Sequence, residues 1–379
     1  MRVNKTATIL WALSSLGASA ANADVSVVTS IKPVHSLVSS VMQGVGSPTV
    51  IIEGAGSPHT YSLKPSQATQ LQDADLVFWM GDELEPFLVD AAQNIARNAE
   101  LVNLVESHGL KKIRFREGGM FDEHDDHDDH AKDDHDDHGH DKHAKDDHDD
   151  HGKEKHAKDD HDDHGHDKHA KDDHDDHGHD KHAKDDHDDH GHDKHAKDDH
   201  DDHGHGEFDP HVWLDPINAK AIVHEIEEAL VKADPKNAKK YEANAVRMAG
   251  KLDQLVTELR AQLQPVQGKG FIVFHDAYQY FEQRFGVAAI GSITVSPEVM
   301  PGAERVRDLR EKIKDLGATC VFSEPQFEPK LVRTLVDGTG ARTGVLDPLG
   351  SSLTKGPDLY FQLVREMARS LKECLSAKS

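Results

Sequence analysis

The chain has only two cysteines, Cys320 and Cys374. It has no second histidine in "HEIEE", which starts at His224 like the H-E-x-x-H zinc-protease motif but carries Glu228 where the second ligand belongs. Beyond its first residues, no uninterrupted apolar run approaches the roughly 18 residues of a membrane-spanning helix. Positive charge is scarce, with 44 Lys and Arg against 70 Asp and Glu. These shortages argue against a zincin-type protease and a membrane-embedded mature chain, and no nucleic-acid partner is expected.

What is present begins with "MRVNKTATILWALSSLGASAANADV". Arg2 and Lys5 form a positive start, residues 7–18 a short apolar stretch, and Ala21-Asn22-Ala23 an A-x-A cleavage signal. Residues 1–23 are therefore expected to be a secretory signal peptide, removed on export. No cysteine stands at the cleavage point, so no lipid anchor is expected. In an exported chain the even cysteine count suits a Cys320–Cys374 disulfide, the alternative being two buried free thiols. Closing that 54-residue separation is worth roughly 4 kcal/mol in the chain-entropy account.

The formal net charge of −26 is unevenly placed. Residues 122–205 hold 35 acidic residues and 12 lysines, a net of −23, which leaves only −3 for the rest. The same stretch holds 25 of the 31 histidines. Its unit, "HAKDDHDDHGHDK", recurs with small changes from His130, His143, His156, His169, His182 and His195. It has no apolar periodicity, so it is expected to be a disordered His/Asp-rich insertion, 122–206.

Outside the insertion, apolar runs alternate with helical patterns. "VSVVTSI" (25–31), "TVIIEG" (49–54), "DLVFWMG" (75–81) and "ELVNLVE" (100–106) read as strands. "FIVF" (271–274), "AAIGSI" (288–293), "TCVFSE" (319–324) and "RTGVLD" (342–347) read as four more. Between the two sets runs a helical pattern at 236–264, carrying Tyr241, Ala245, Met248, Leu252, Leu255, Val256, Leu259 and Leu263. The expected fold is α/β: two lobes with mainly parallel sheets, joined by one long rigid helix. The lobes are expected at 24–121 with 207–235, and at 265–379.

Six histidines remain outside the insertion: His35, His59, His108, His211, His224 and His275. His59 in "GSPHTYSLKPS" lies between a strand and a helix, His211 in "DPHVWLDP" before a helix, and His275 in "FIVFHDAYQYF" straight after a strand. Ligands of open α/β sheets bind at the carboxyl ends of strands. All three are thus candidates for a cleft between the lobes, and three imidazoles suit tetrahedral Zn(II). The bland alternative for each is a hydrogen-bonded cleft histidine. For a fourth position Asp347 in "VLDPLG" is favoured, with Glu324 in "FSEPQF", His35 or water as substitutes. Each of these side chains can equally cap a helix or orient an imidazole. His224 is expected on a helix surface, and His108 is assigned nothing.

"PHTYSLKPS" (58–66), "DPHVWLDP" (209–216), "FIVFHDAYQYF" (271–281) and "FSEPQF" (322–327) together resemble the cluster A-I solute-binding proteins, the metal receptors of bacterial ABC importers. The similarity is greatest to their ZnuA-type zinc receptors. It spans most of the mature chain apart from the repeat. The resemblance implies His59 and His211 as zinc ligands from the first lobe and His275 from the second, with a carboxylate near Asp347. Manganese receptors of the group use a carboxylate where His275 stands, and a third imidazole favours zinc, copper or nickel over manganese. It further implies a periplasmic, monomeric receptor that is not an enzyme and delivers Zn(II) to an inner-membrane ABC permease. The alternatives are a periplasmic metal buffer or storage protein, and a metal-dependent adhesin.

The insertion offers its own histidines, among them His130, His135, His138, His140, His143, His148 and His151, without a folded frame. Ordering such a segment around an ion costs conformational entropy. Several weak sites are expected there, against one tight site in the cleft. Metal capture and delivery, buffering, and a tolerated solubilising expansion all fit the pattern.

Overall fold

The computed structural model describes residues 25–116, 121, 207–294, 297, 299, 301–315 and 319–377. The signal-peptide and repeat assignments, with the repeat histidines, lie outside the described residues.

Among the described residues, eight short strands form two sheets of four. In the first, β1 (Val27–Thr29), β2 (Thr49–Val50), β3 (Leu76–Trp79) and β4 (Glu100–Asn103) lie in the order β2-β1-β3-β4. In the second, β5 (Phe271–Val273), β6 (Ala289–Ser292), β7 (Cys320–Ser323) and β8 (Arg342–Val345) lie in the order β6-β5-β7-β8. Every pairing is parallel, and the two sheets share one strand order. The central strands fall within apolar runs of the sequence, because a strand buried on both faces carries no alternation, whereas the edge strands β4 and β8 are partly exposed. β2 is shorter than its run. The amides of Ile51 and Ile52 nonetheless continue the ladder, donating to the carbonyls of Thr29 and Ser30 at 2.9 Å each.

Helices cross between the strands. In the first lobe α1 (Lys32–Val41) follows β1, α2 (Pro65–Gln72) follows β2 and α3 (Pro86–Asn94) follows β3. All three have proline at the start, where its fixed φ and missing N–H are tolerated. After the insertion come α4 (Pro216–Ala233) and α5 (Ala238–Leu263). The second lobe adds α6 (Gln279–Phe285), α7 (Ala303–Asp315), α8 (Lys330–Val336) and α9 (Leu359–Ser376). At 1.5 Å per residue the 26 residues of α5 span about 39 Å.

α5 is more than a link. It buries Tyr241, Ala245, Met248, Leu252, Leu255, Leu259 and Leu263 in one apolar core together with α1, α4 and α9. The last helix returns across the molecule to the first lobe. Ser36 Oγ in α1 donates to the carbonyl of Pro357 at 3.1 Å and accepts the amide of Tyr360 at 2.9 Å. The Tyr360 hydroxyl donates to the carbonyl of Trp213 at 2.7 Å. Cys320 on β7 and Cys374 on α9 form a disulfide, tying that helix to the second sheet. A second, smaller core of Ile272, Phe274, Ile293, Leu309, Ile313, Val321, Val332 and Leu335 fills the other face of the second sheet. No helix among the described residues is long and apolar enough to cross a membrane.

Candidate metal centre

The segment "DPHVWLDP" builds one corner of the site from two Asp-Pro turns. At the second, Asp215 caps α4: its carboxylate accepts the amide of Ile217 at 2.8 Å, and Pro216 takes the first helical position. Arg284 of α6 clamps the same carboxylate with two bonds of 2.7 Å. At the first turn the buried Asp209 carboxylate accepts both the backbone amide of His211, at 2.9 Å, and its Nδ1–H, at 2.7 Å. One carboxylate thereby fixes both the backbone and the ring of His211. Nδ1 being engaged, Nε2 is the nitrogen left to act.

His275 is fixed in the same way by sheet topology. It stands two residues past the end of β5, and Glu324 stands one past the end of the neighbouring β7. Parallel neighbours bring their carboxyl ends together, and the buried Glu324 Oε1 accepts His275 Nδ1–H at 2.7 Å. His275 Nε2 is buried and has no hydrogen-bond partner. His59 sits on a single turn, Pro58–Thr60, between β2 and α2, and is half-buried.

The three rings meet. His59 lies 5.6 Å from His211 and 6.0 Å from His275, centroid to centroid, and His211 lies 5.4 Å from His275. One nitrogen from each lies within 4.8 Å of the others. Tetrahedral zinc with bonds of about 2.1 Å sets its nitrogens about 3.4 Å apart, so small side-chain adjustments close the set. The cavity between them has about 10 Å³ of space for water-sized bodies and is also lined by Trp213, Gln326 and Phe327. That is room for one ion or one water. A small cavity that leaves an imidazole nitrogen buried and unbonded fits a metal ion.

Burial sets the charge states. The Asp209 carboxyl is pushed up to about 7 by burial, against the opposing bonds from His211. Burial, with the His275 charge adding, holds His211 well below the ordinary imidazole value. Burial also pushes His275 down, but the Glu324 carboxylate beside it outweighs this and raises it. Both carboxylates thus favour an imidazole that offers Nε2 to a cation.

The other sequence candidates are not among the three grouped histidines. Asp347 is not in the group of three; its Oδ2 accepts the amide and hydroxyl of Ser351 at 2.6 and 2.7 Å, and its Oδ1 accepts Leu349 N–H at 3.2 Å and Gln326 Nε2–H at 3.1 Å. His35 is buried in α1, with its Nδ1 3.4 Å from Ser39 Oγ. Glu324 sits behind His275 rather than beside the ring nitrogens of the group. His224 is exposed on α4, where its Nδ1 donates to Glu227 at 3.2 Å, and His108 pairs at 3.8 Å with Glu225. Sequence reasoning passed over Asp209, although it stands two residues before His211 in the quoted motif. It also passed over Arg116, which bonds Asp276 and Glu282 from the segment before the insertion.

Two parallel α/β lobes bridged by one long helix, with three imidazoles gathered at the sheet ends, define the two-lobed solute-binding proteins. Residues 27–374 match the family described as "ZnuA: Zinc-uptake complex component A periplasmic". The chain is 53% identical over 360 residues to the high-affinity zinc uptake system protein ZnuA of Brucella suis, covering 95% of this chain and 94% of the relative. The protein of that name from Yersinia pestis is 33% identical over 353 residues, covering 93% and 92%. A solved ZnuA structure superposes with a TM-score of 0.62 at 21% identity, covering 93% of this chain and 99% of that one, and so shares the fold. The chain belongs to the ZnuA family of periplasmic zinc-uptake components.

Proposed function

We propose that this protein is a periplasmic receptor that binds Zn(II) through His59, His211 and His275 and delivers it to an ABC permease in the inner membrane. One observation carries the reading: three imidazole nitrogens from separate segments lie within 4.8 Å, two of the rings being held by buried carboxylates. The family and the named relatives support zinc as the cargo. Membership of a family of zinc-uptake components favours binding over catalysis. In this reading residues 1–23 are removed on export. The first lobe comprises 24–121 and 207–235, the second 265–379, with 236–264 between them, and the chain acts as a monomer. Residues 122–206 serve as an accessory that gathers or buffers metal through many weak contacts. The test is genetic. Replacing the resident copy with a His59→Ala, His211→Ala, His275→Ala triple variant is expected to stop growth in zinc-poor medium, with recovery on added zinc. Unimpaired growth of a stably expressed variant would overturn the receptor reading in favour of a buffer.

A further inference from the structure

Residues 347–357, between β8 and α9, begin at the wall of the metal cavity, which Pro348 and Leu349 line together with the three histidines. The backbone of this segment is held from two sides. Asp347, its first residue, accepts the amides of Leu349 and Ser351 at 3.2 and 2.6 Å. Its carbonyls reach across to the first lobe. Trp213 Nε1–H donates to Pro348 at 3.0 Å, and the Lys32 ammonium donates to Gly350, Ser351 and Leu353 at 2.8, 3.0 and 2.6 Å. Lys32 opens α1, just past the end of β1, and is only 5% exposed. All three of its N–H bonds thus end on neutral oxygens. Burying an ammonium is costly, and only full hydrogen bonding offsets that cost. An apolar side chain would join the lobes more cheaply. A polar joint differs in that water can take over its bonds when it opens, so each bond has a modest net worth.

The remainder of the segment is loosely packed. Ser352, Thr354, Lys355 and Pro357 are exposed. Gly350 and Gly356 have φ of 62° and 145°, a region that glycine alone enters freely. Exposed backbone with few apolar contacts opens locally at low cost. The far end is fixed, because Ser36 and Ser40 of α1 both donate to the Pro357 carbonyl, at 3.1 and 3.0 Å, and α9 beyond it is buried. We propose that residues 347–357 are a strap that must open for the metal to leave, and that Lys32 is the positioning residue that latches it shut. This rests on the three-histidine reading above. Lys32 touches none of the three histidines. It acts through the carbonyls next to Pro348 and Leu349, so breaking its bonds frees that wall while Asp209 and Glu324 still hold their imidazoles. Zinc entering an empty site does not wait for the latch, whereas zinc leaving a filled one does.

The test compares the full chain with Lys32→Met, which nearly keeps the length of the side chain and removes its three donors. Zinc release is timed by stopped-flow mixing with excess chelator, the slowest phase being that of the tight site. Zinc entry is timed by mixing the apo protein with zinc, and coordination is read by zinc-edge X-ray absorption. Release from Lys32→Met is expected to quicken about tenfold, since bonds from a charged donor are lost from the closed state alone. The entry rate and the signal of three imidazoles are expected to hold. Loss of fold would lower the amount of zinc bound and not the rate at which bound zinc leaves. Release at the unaltered rate overturns the proposal, and so does a loss of affinity carried by slower entry. A variant that does not fold leaves hydrogen exchange of the unaltered protein to decide. The amides of Leu349, Ser351 and Leu353 are expected to exchange about tenfold faster without zinc than with it, while those of α9 exchange alike in both forms. Equal protection of the strap amides in the two forms overturns the proposal. Failure of the underlying reading looks different, with fewer than three imidazoles on zinc in the unaltered protein.

Discussion

Each of two site histidines leans on a carboxylate that water does not reach. Asp209 engages the His211 backbone and ring, and Glu324 engages the His275 ring. An imidazole so held presents Nε2 in one orientation and is a stronger base toward a cation. Glu324→Ala is therefore expected to weaken zinc about 10- to 100-fold, read by chelator competition. A further buried acid is Glu85. It is fully buried, accepts the Met80 amide at 2.6 Å, and is pushed up to about 8 by burial. The folded chain keeps that proton up to about pH 8, while the unfolded chain releases it near the ordinary value of 4.5. Between the two, the folded state binds more protons, so raising the pH destabilises it. The melting temperature of the unaltered protein is expected to fall relative to that of Glu85→Gln as pH rises from 5 to 8. Asp209, raised by burial, and His35 and His211, lowered by burial, act with opposite signs in both proteins, so the difference between the two is the quantity that counts.

At the scale of elements, two ties hold the second lobe. The disulfide anchors α9 to β7, and the chain-entropy account gives its 54-residue separation roughly 4 kcal/mol. Cys320→Ser with Cys374→Ser is expected to lower the unfolding free energy by about 2–4 kcal/mol, seen in urea titrations and mimicked by reductant on the unaltered protein. The other tie is Arg116, whose guanidinium bonds Asp276, next to His275, and Glu282 of α6, and which also stacks on the Phe121 ring. Removing it leaves two buried carboxylates without their counter-charge. Arg116→Ala is expected to cost about 3–5 kcal/mol in the same titrations. The strands that position these groups were legible as apolar runs, since buried parallel strands show no alternation. Their order was not, because parallel pairing leaves no local mark in the sequence. That order is what sets Glu324 beside His275, where its Oε1 accepts the Nδ1–H of His275. Asp209 carried a signal, an aspartate two residues before a histidine in a Pro turn. Arg116 carried none, because its partners lie about 160 residues away.

For the whole molecule, the α/β alternation and the long helix announced two lobes, and the family match agrees. What stayed hidden is that the lobes are not joined by α5 alone. α9 returns from the second lobe to pack on α1 and α5, and the large core runs through both. An amphipathic terminal helix does not declare which body it will cover. Lys32 adds a polar seam: its ammonium donates to the carbonyls of Gly350, Ser351 and Leu353 at 2.8, 3.0 and 2.6 Å. Such a frame favours small adjustments around the ion over wide closure. The central claim is that one tight zinc site sits in that frame and not in the repeat. Calorimetric zinc titration of the full chain and of the His59→Ala, His211→Ala, His275→Ala variant tests it most directly. The account predicts one tight site plus weak ones in the first and only the weak ones in the second. A tight site that survives in the triple variant would contradict it.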